Sequence, residues 1–199
     1  MITKTQKWAV LAALFVNFSA AANEIYMEQV GNNSTVTIMQ DGVSNKIGTP
    51  LDPVLIGGGS NTLTIDQIGS GNELVMTVNG ASTTVSVSVL GSNNVSNITC
   101  GTAMSASCSG GDIQQNITGD NNTVTQTLGA GGAHTSVLTV TGDTNAVTHT
   151  STNTGAVNVN YTVAGDTNTV SITTSGTTAK TVNATTTGNS NTVTIVQTN

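Results

Sequence analysis

A Gly-x-x-Asn turn recurs every 23 residues through the second half of this chain. An asparagine follows each turn glycine by three residues, and a valine follows that asparagine by two. A fixed period of this length is typical of repeat proteins, in which each repeat is one structural unit stacked on the next. Such a chain is better suited to present a repetitive surface or to serve as the unit of a polymer than to act as a catalyst. The recurring residues are Asn122, Asn145, Asn168 and Asn191, with Val124, Val147, Val170 and Val193.

The first half carries the same turn in arms of about 11 residues, two arms to a coil. Within the arm 61–67, apolar or amide residues alternate with Thr and Asp, and this period of two indicates a strand with one buried face. We therefore expect an all-β fold, a β-solenoid of about seven strand–turn–strand coils of 22–23 residues each. Further positions expected in stacked ladders or in assembly are Gln29, Gln40, Asn45, Asn61, Gln67, Asn72, Asn94 and Gln197.

The N-terminus has the features of a secretory signal. Basic residues precede a short apolar stretch from Trp8 to Phe18, which is too short to span a bilayer, and a run of alanines follows it. We expect cleavage after Ala22, which leaves residues 23–199 as a single repeat domain. This leader predicts a secreted protein, located outside the cell or at its surface.

The charge of the remaining chain excludes some partners. Without residues 1–22 it has two lysines, no arginine and ten acidic residues, so its formal charge is 2 − 10 = −8. Nucleic-acid binding needs a basic surface that this chain lacks. No second apolar stretch reaches transmembrane length. The abundant Thr, Ser, Asn, Gly and Val suit β-structure built from small and β-branched side chains.

Two insertions interrupt the repeat, near residues 48–57 and 100–112. The first contains both prolines, which cannot donate to a central ladder. The second contains the only cysteines, Cys100 and Cys108. In an exported chain a disulfide between them is expected, outside the ladder, with two free thiols as the alternative.

Residues with metal or catalytic chemistry are few. His134 and His149 fall on inward positions, where we expect polar core residues, because a metal site needs three or four converging ligands. No nucleophile motif occurs, so we expect neither an enzyme nor a cofactor. Asp120, Asp143 and Asp166 recur every 23 residues. They are either solvated turn aspartates or a row of calcium ligands.

Thr-x-Thr pairs recur on the face expected to point outward, for example Thr148 and Thr150. Such an array resembles the ice-binding face of some antifreeze β-solenoids. Threonine is also simply a favourable residue on exposed strands.

Residues 29–47 resemble the curlin repeat, whose arms read Gln-x-Gly-x-x-Asn-x-Ala-x-x-x-Gln. The frame here begins at Gln29, passes through Gln40 and Asn45, and continues through its period to the end of the chain. Valine replaces several of the family's glutamines. The resemblance implies a secreted structural subunit, major or nucleating, of the extracellular amyloid-like fibres that bacteria use in biofilm matrix and adhesion. It also implies three partners: copies of itself, a second curlin-like subunit and an outer-membrane export apparatus.

Stacking physics leads to the same expectation. Coils stacked in a parallel ladder place equivalent residues ~4.8 Å apart, so that asparagines form an amide ladder and valines a dry stripe. The last coil, 191–197, is followed by no capping repeat in this sequence, and an unpaired strand edge is a template for another chain. We therefore expect edge-to-edge homopolymerisation. The alternative is a monomeric β-solenoid that binds a partner, such as an adhesin, an ice-binding protein or a phage fibre segment.

Overall fold

The computed structural model describes residues 24–48, 54–101, 109–119, 121–129, 134–142, 144–152, 156–165, 167–177, 180–188 and 190–198. These residues form fifteen strands and no helix, so none of them belongs to a helix long and apolar enough to cross a membrane. The predicted leader lies outside the described residues.

The strands are divided between two sheets by alternation along the chain. We call them the odd sheet and the even sheet, after their strand numbers. The odd sheet runs β1 (Glu28–Val30), β3 (Val54–Gly57), β5 (Leu74–Asn79), β7 (Ser96–Cys100), β9 (Val124–Leu128), β11 (Val147–Ser151), β13 (Val170–Thr174) and β15 (Val193–Gln197). The even sheet runs β2 (Thr35–Asp41), β4 (Thr62–Ile68), β6 (Thr84–Leu90), β8 (Asp112–Thr118), β10 (His134–Thr141), β12 (Val157–Ala164) and β14 (Lys180–Thr187).

This topology is a β-solenoid and confirms the predicted fold class. Each strand pairs in parallel with the strand two places along the chain, as β11 does with β9 and β13. Each coil therefore contributes one strand to each sheet, and the two sheets enclose the core between them. The described residues make up seven coils and one further strand, close to the seven coils expected.

Alternation along each strand builds the core. In β4, Leu63, Ile65 and Gln67 are buried, while Thr62 and Thr64 are exposed. Buried Val and Ile side chains each contribute about 1.5–3 kcal/mol of transfer free energy. Their β-branched shapes also suit a pleated surface. Among the described residues, Tyr161 is the one Phe, Tyr or Trp side chain in the core.

The first insertion is narrower than expected. Ile47 lies opposite Leu74, and Val54 lies opposite Met76 two residues further on. Residues 54–57, expected to belong to the insertion, instead form β3. Residues 49–53 lie outside the described residues.

The second insertion also differs from its expected position. Cys100 was expected outside the ladder, yet it is the last residue of β7, fully buried, with Val78 and Leu128 as its register partners. The physical reason is that cysteine behaves as a small apolar side chain at an inward position. Cys100 is disulfide-bonded. Cys108, the only other cysteine in the sequence, lies outside the described residues.

Candidate functional site

A ladder of seven asparagine side chains runs along one edge of the solenoid, at the turns that lead from the even sheet to the odd sheet. In each link, Nδ2 of the later asparagine donates to Oδ1 of the asparagine one coil earlier. Four links measure 2.5 to 2.8 Å, and the remaining two are Asn168 to Asn145 and Asn191 to Asn168. The ladder consists of Asn45, Asn72, Asn94, Asn122, Asn145, Asn168 and Asn191.

The same asparagines close their own turns. Nδ2 of Asn122 also donates to the carbonyl oxygen of Gly119 at 2.9 Å, three residues earlier, and Asn145 makes the equivalent bond to Gly142 at 3.1 Å. Both N–H groups of the amide are thereby used. This explains the Gly-x-x-Asn spacing, because the asparagine must reach back to its turn and across to the next coil.

The turn glycine is required by close stacking. Gly142 has φ +155°, and a Cβ there would lie 1.6 Å from the carbonyl oxygen of Gly119 in the coil before. That separation is far below van der Waals contact, so no other residue fits without moving a backbone.

Asn61 is not part of this ladder. It lies at the opposite turn, where its Oδ1 accepts from the backbone N–H of Ser34 at 3.0 Å and its Nδ2 donates to the carbonyls of Gly57 and Gly58. Asn61 therefore caps a turn and does not stack on the other predicted amides. Both turns have similar sequences, so the sequence pattern did not distinguish them.

The predicted valine stripe is present as one register column. Val124, Val147 and Val170 follow one another in the odd sheet and are at most 1% exposed. Val193 continues the column in β15, but it is 43% exposed because no strand lies beyond it in the described residues. Val193 therefore stacks in the column but is left partly uncovered at its end.

The four predicted glutamines occupy inward positions near the two ends of the molecule. Gln40 and Gln67 are register neighbours in β2 and β4, and both are buried. Gln67 donates to the carbonyl of Glu73 at 3.4 Å, whereas neither amide atom of Gln40 has a hydrogen-bond partner. Gln29 lies in β1, and Gln197 ends β15.

A buried polar cluster lies between the sheets, and sequence reasoning missed its centre. Oε1 of Gln126 accepts from the hydroxyls of Ser136 and, at 3.1 Å, Tyr161. It also lies 2.9 Å from Nδ1 of His149, which must carry the proton because the oxygen can only accept. His134, as expected of a core residue, is buried as well. The signal was available, since Gln126 holds the inward position between Val124 and Leu128.

Burial determines the protonation states in this cluster. It lowers the pKa of His149 to about 4, and repulsion from His134 adds to the effect. Burial also raises the pKa of Tyr161 well above its usual range. Both side chains are therefore neutral at neutral pH, and their rings meet edge to face with centroids 5.5 Å apart. A neutral, hydrogen-bonded cluster of this kind supports packing between the two sheets.

The outer face of the odd sheet presents columns of hydroxyl groups. One column contains five consecutive threonines in register. Beside it, Thr125, Thr148 and Ser171 form a second column. The five threonines are Thr77, Thr99, Thr127, Thr150 and Thr173.

The two ends of the solenoid differ in exposure. At the N-terminal end the inward residues of β2 are buried, with Val36 6% and Ile38 7% exposed. At the other end, every residue of β15 is exposed, including Ile195 and Val196 at 46% and 44%. This edge strand offers an unpaired backbone together with an apolar face.

Comparison with protein-family models, with curated proteins and with solved structures returned no match. Within the described ranges, no three His, Cys, Asp or Glu side chains come together as a metal site requires. Asp120, Asp143 and Asp166 lie outside those ranges, so both interpretations of them stay open.

Proposed function

We propose that this protein is a secreted, curlin-like structural subunit that assembles end to end into extracellular amyloid-like fibres, as major subunit or nucleator, in a biofilm matrix. The observation that carries the proposal is the exposed strand β15, which continues both stacked columns of the molecule. Val193 extends the valine stripe, and Asn191 extends the amide ladder. Strands that end such columns are templates for a further strand.

Asn191 leaves the ladder extensible. Its Nδ2 donates to Asn168, and no later asparagine among the described residues donates to its Oδ1. An incoming asparagine in register would donate to that oxygen, as each ladder member after Asn45 donates to the member before it. The same addition would cover Val193 and Ile195, which are otherwise partly exposed to water.

A head-to-tail contact of this kind does not close on itself. The surface at one end of a solenoid differs from the surface at the other, so each added copy presents a fresh end, and repetition produces a filament. This geometry is what a structural subunit needs, and it requires no cofactor.

The test compares two lysine substitutions in the chain that begins at residue 23. Ile195→Lys places a charge on the inward face of β15, where the next copy would bury it, whereas Leu90→Lys changes a 49% exposed residue of β6, away from both ends of the solenoid. We expect the parent and Leu90→Lys to form thioflavin-T-positive fibres visible by electron microscopy. We expect Ile195→Lys to remain soluble. Fibres of Ile195→Lys at the parent rate would show that this edge is not used.

A second candidate function rests on the threonine columns. Neighbouring threonines there are spaced ~4.8 Å across strands and ~6.7 Å along each strand, which makes a flat, regular hydroxyl array suited to ordered water. An ice-binding solenoid would inhibit ice recrystallisation as a monomer. Thr127→Lys would abolish that activity, whereas Thr162→Lys on the even sheet would retain it. Absence of recrystallisation inhibition in the parent chain excludes this candidate.

A further inference from the structure

The two sheets contain unequal numbers of strands, and this affects how two copies can join. Among the described residues the odd sheet has eight strands and the even sheet seven. A chain of whole coils would have equal numbers. If β1 of a second copy simply followed β15 of the first, one strand position in the even sheet, between β14 and the next β2, would be vacant.

A vacant position is unfavourable because it leaves the facing N–H and C=O groups of both neighbouring strands unpaired inside a junction. A continuous junction exists only if β2 of the second copy pairs directly with β14 of the first. In that arrangement β15 occupies the place that β1 holds in the isolated molecule. The argument rests on the end-to-end assembly proposed above.

We propose that β15 displaces β1 of the next copy, so that the fibre junction is made by strand replacement and β1 blocks growth until it leaves. We followed the register pairs from strand to strand across the odd sheet, from β1 to β15. Ile25 occupies the same register position as Val193, and Gln29 the same position as Gln197. The intervening inward residues, Met27 and Ile195, are both apolar. The two strands therefore present the same classes of side chain to the core, in the same order.

Strand β15 has an advantage over β1 at the shared position. In the junction it stays paired with β13 on one edge while its other edge pairs with β3 of the next copy, whereas β1 in the isolated molecule pairs with β3 alone. In the replaced junction Asn191 also lies beside Asn45, the first member of the ladder, and the amide ladder runs on without a gap. Binding by a donated strand is an established mode of recognition between chains.

The even sheet accepts this junction as well. Placing β2 on β14 in register brings Val36 onto Val182 and Ile38 onto Ala184, so apolar residues meet. Gln40, whose amide atoms have no hydrogen-bond partner in the isolated molecule, comes beside the hydroxyl-bearing Thr186. The outward residues of β14 are uncharged, so β2 meets no like charge.

The decisive experiment uses four chains that begin at residue 23 or later. They are the complete form, a form lacking 23–31, a form lacking 190–199, and a form lacking both segments. Removing either segment restores whole coils and should shorten the thioflavin T lag by roughly tenfold, equivalent to ~1.4 kcal/mol in the barrier. Removing both leaves a vacant position in the odd sheet, so the long lag should return. Circular dichroism and urea midpoints confirm that each form is folded.

Equal lags in all four forms, or the shortest lag in the doubly shortened form, would overturn strand replacement while leaving fibre formation intact. Absence of fibres from all four would instead overturn the proposed function itself.

Hydrogen exchange of fibres from the complete form gives a second readout. Amides of 193–197 should be protected and those of 25–30 should exchange freely. The opposite pattern refutes the displacement of β1.

Discussion

Single residues in this molecule act through repetition, and Asn145 illustrates why. Its Oδ1 accepts from Asn168, and its Nδ2 donates both to Asn122 and to Gly142. A carboxamide is the side chain that can donate and accept along one line, so neither Asp nor Ala can take its place.

Replacing Asn145 by alanine should therefore destabilise the fold strongly. The substitution leaves Oδ1 of Asn122 and an N–H of Asn168 without these partners, and two unsatisfied buried groups cost about 2–6 kcal/mol together. Urea denaturation measures the difference. Asn160→Ala, on the exposed outer face of β12, is the control and should change stability by less than about 0.5 kcal/mol. Equal losses in both variants would contradict a stabilising ladder.

His149 should make stability depend on pH in a defined window. Its pKa falls from 6.5 in the unfolded chain to about 4 in the fold, so between these values the unfolded chain binds more protons. Stability is therefore complete above pH 6.5 and decreases as the pH falls toward 4, by about 3 kcal/mol from this residue.

His149→Gln removes the titrating group, and Gln126 already shows that the core accepts glutamine in the same column. Chemical denaturation at a series of pH values should give a flatter profile for the variant between pH 4 and 6.5. Parallel profiles for both proteins would show that His149 is already protonated in the fold or that it is accessible to water.

Among the structural elements, the turns tolerate the least change. Gly142→Ala introduces a Cβ that would overlap the Gly119 carbonyl, and we expect a loss of at least ~3 kcal/mol or failure to fold. At Gly59, a Cβ would meet nothing closer than the Ala81 carbonyl oxygen at 3.5 Å, an ordinary contact. Gly59→Ala should change the thermal midpoint little. Similar midpoints for both variants would refute the close stacking of turns.

The first insertion should be dispensable. Ile47 and Val54 already occupy register positions two residues apart, opposite Leu74 and Met76, with Gly48 between them. Deleting residues 49–53 places Gly48 directly before Val54 and shortens the connection between them, so we expect an unchanged or higher thermal midpoint. Deleting 84–88 from β6 is the matched control of equal length and should abolish folding. Unfolding of the first variant would show that the insertion supports the core.

Sequence reasoning predicted the structural features that recur in every coil and missed those that occur only once. The period placed Val124, Val147 and Val170 in one column because every coil imposes the same spacing. It could not show that the Gln126 cluster forms, since that depends on which inward residues of two different sheets face each other. Nor could it separate Asn61 from the ladder, because both turns need residues that accept left-handed or reversed backbone.

At the scale of the whole molecule, net charge opposes assembly. Residues 23–199 carry a formal charge of −8, and each added copy brings the same charge to a growing end. Raising the ionic strength from 0.01 to 0.15 M shortens the Debye length from about 30 to about 8 Å. We expect a shorter lag at the higher salt, measured by thioflavin T fluorescence at constant pH. A lag that lengthens with salt would show that attraction between charges on the two copies speeds their association, and it would contradict the proposed repulsion.

The direction of the backbone hydrogen bonds has a mechanical consequence. In a solenoid these bonds join one coil to the next, so they lie along the long axis, and tension applied to the two ends loads the coils in series. The weakest coil peels away first and its neighbours keep their pairing. Each released coil of 23 residues, the spacing from Val147 to Val170, adds roughly 70–80 Å of extended chain. A filament of such units would absorb a pull by lengthening one coil at a time, and each step would be set by the number of residues in the coil that opens.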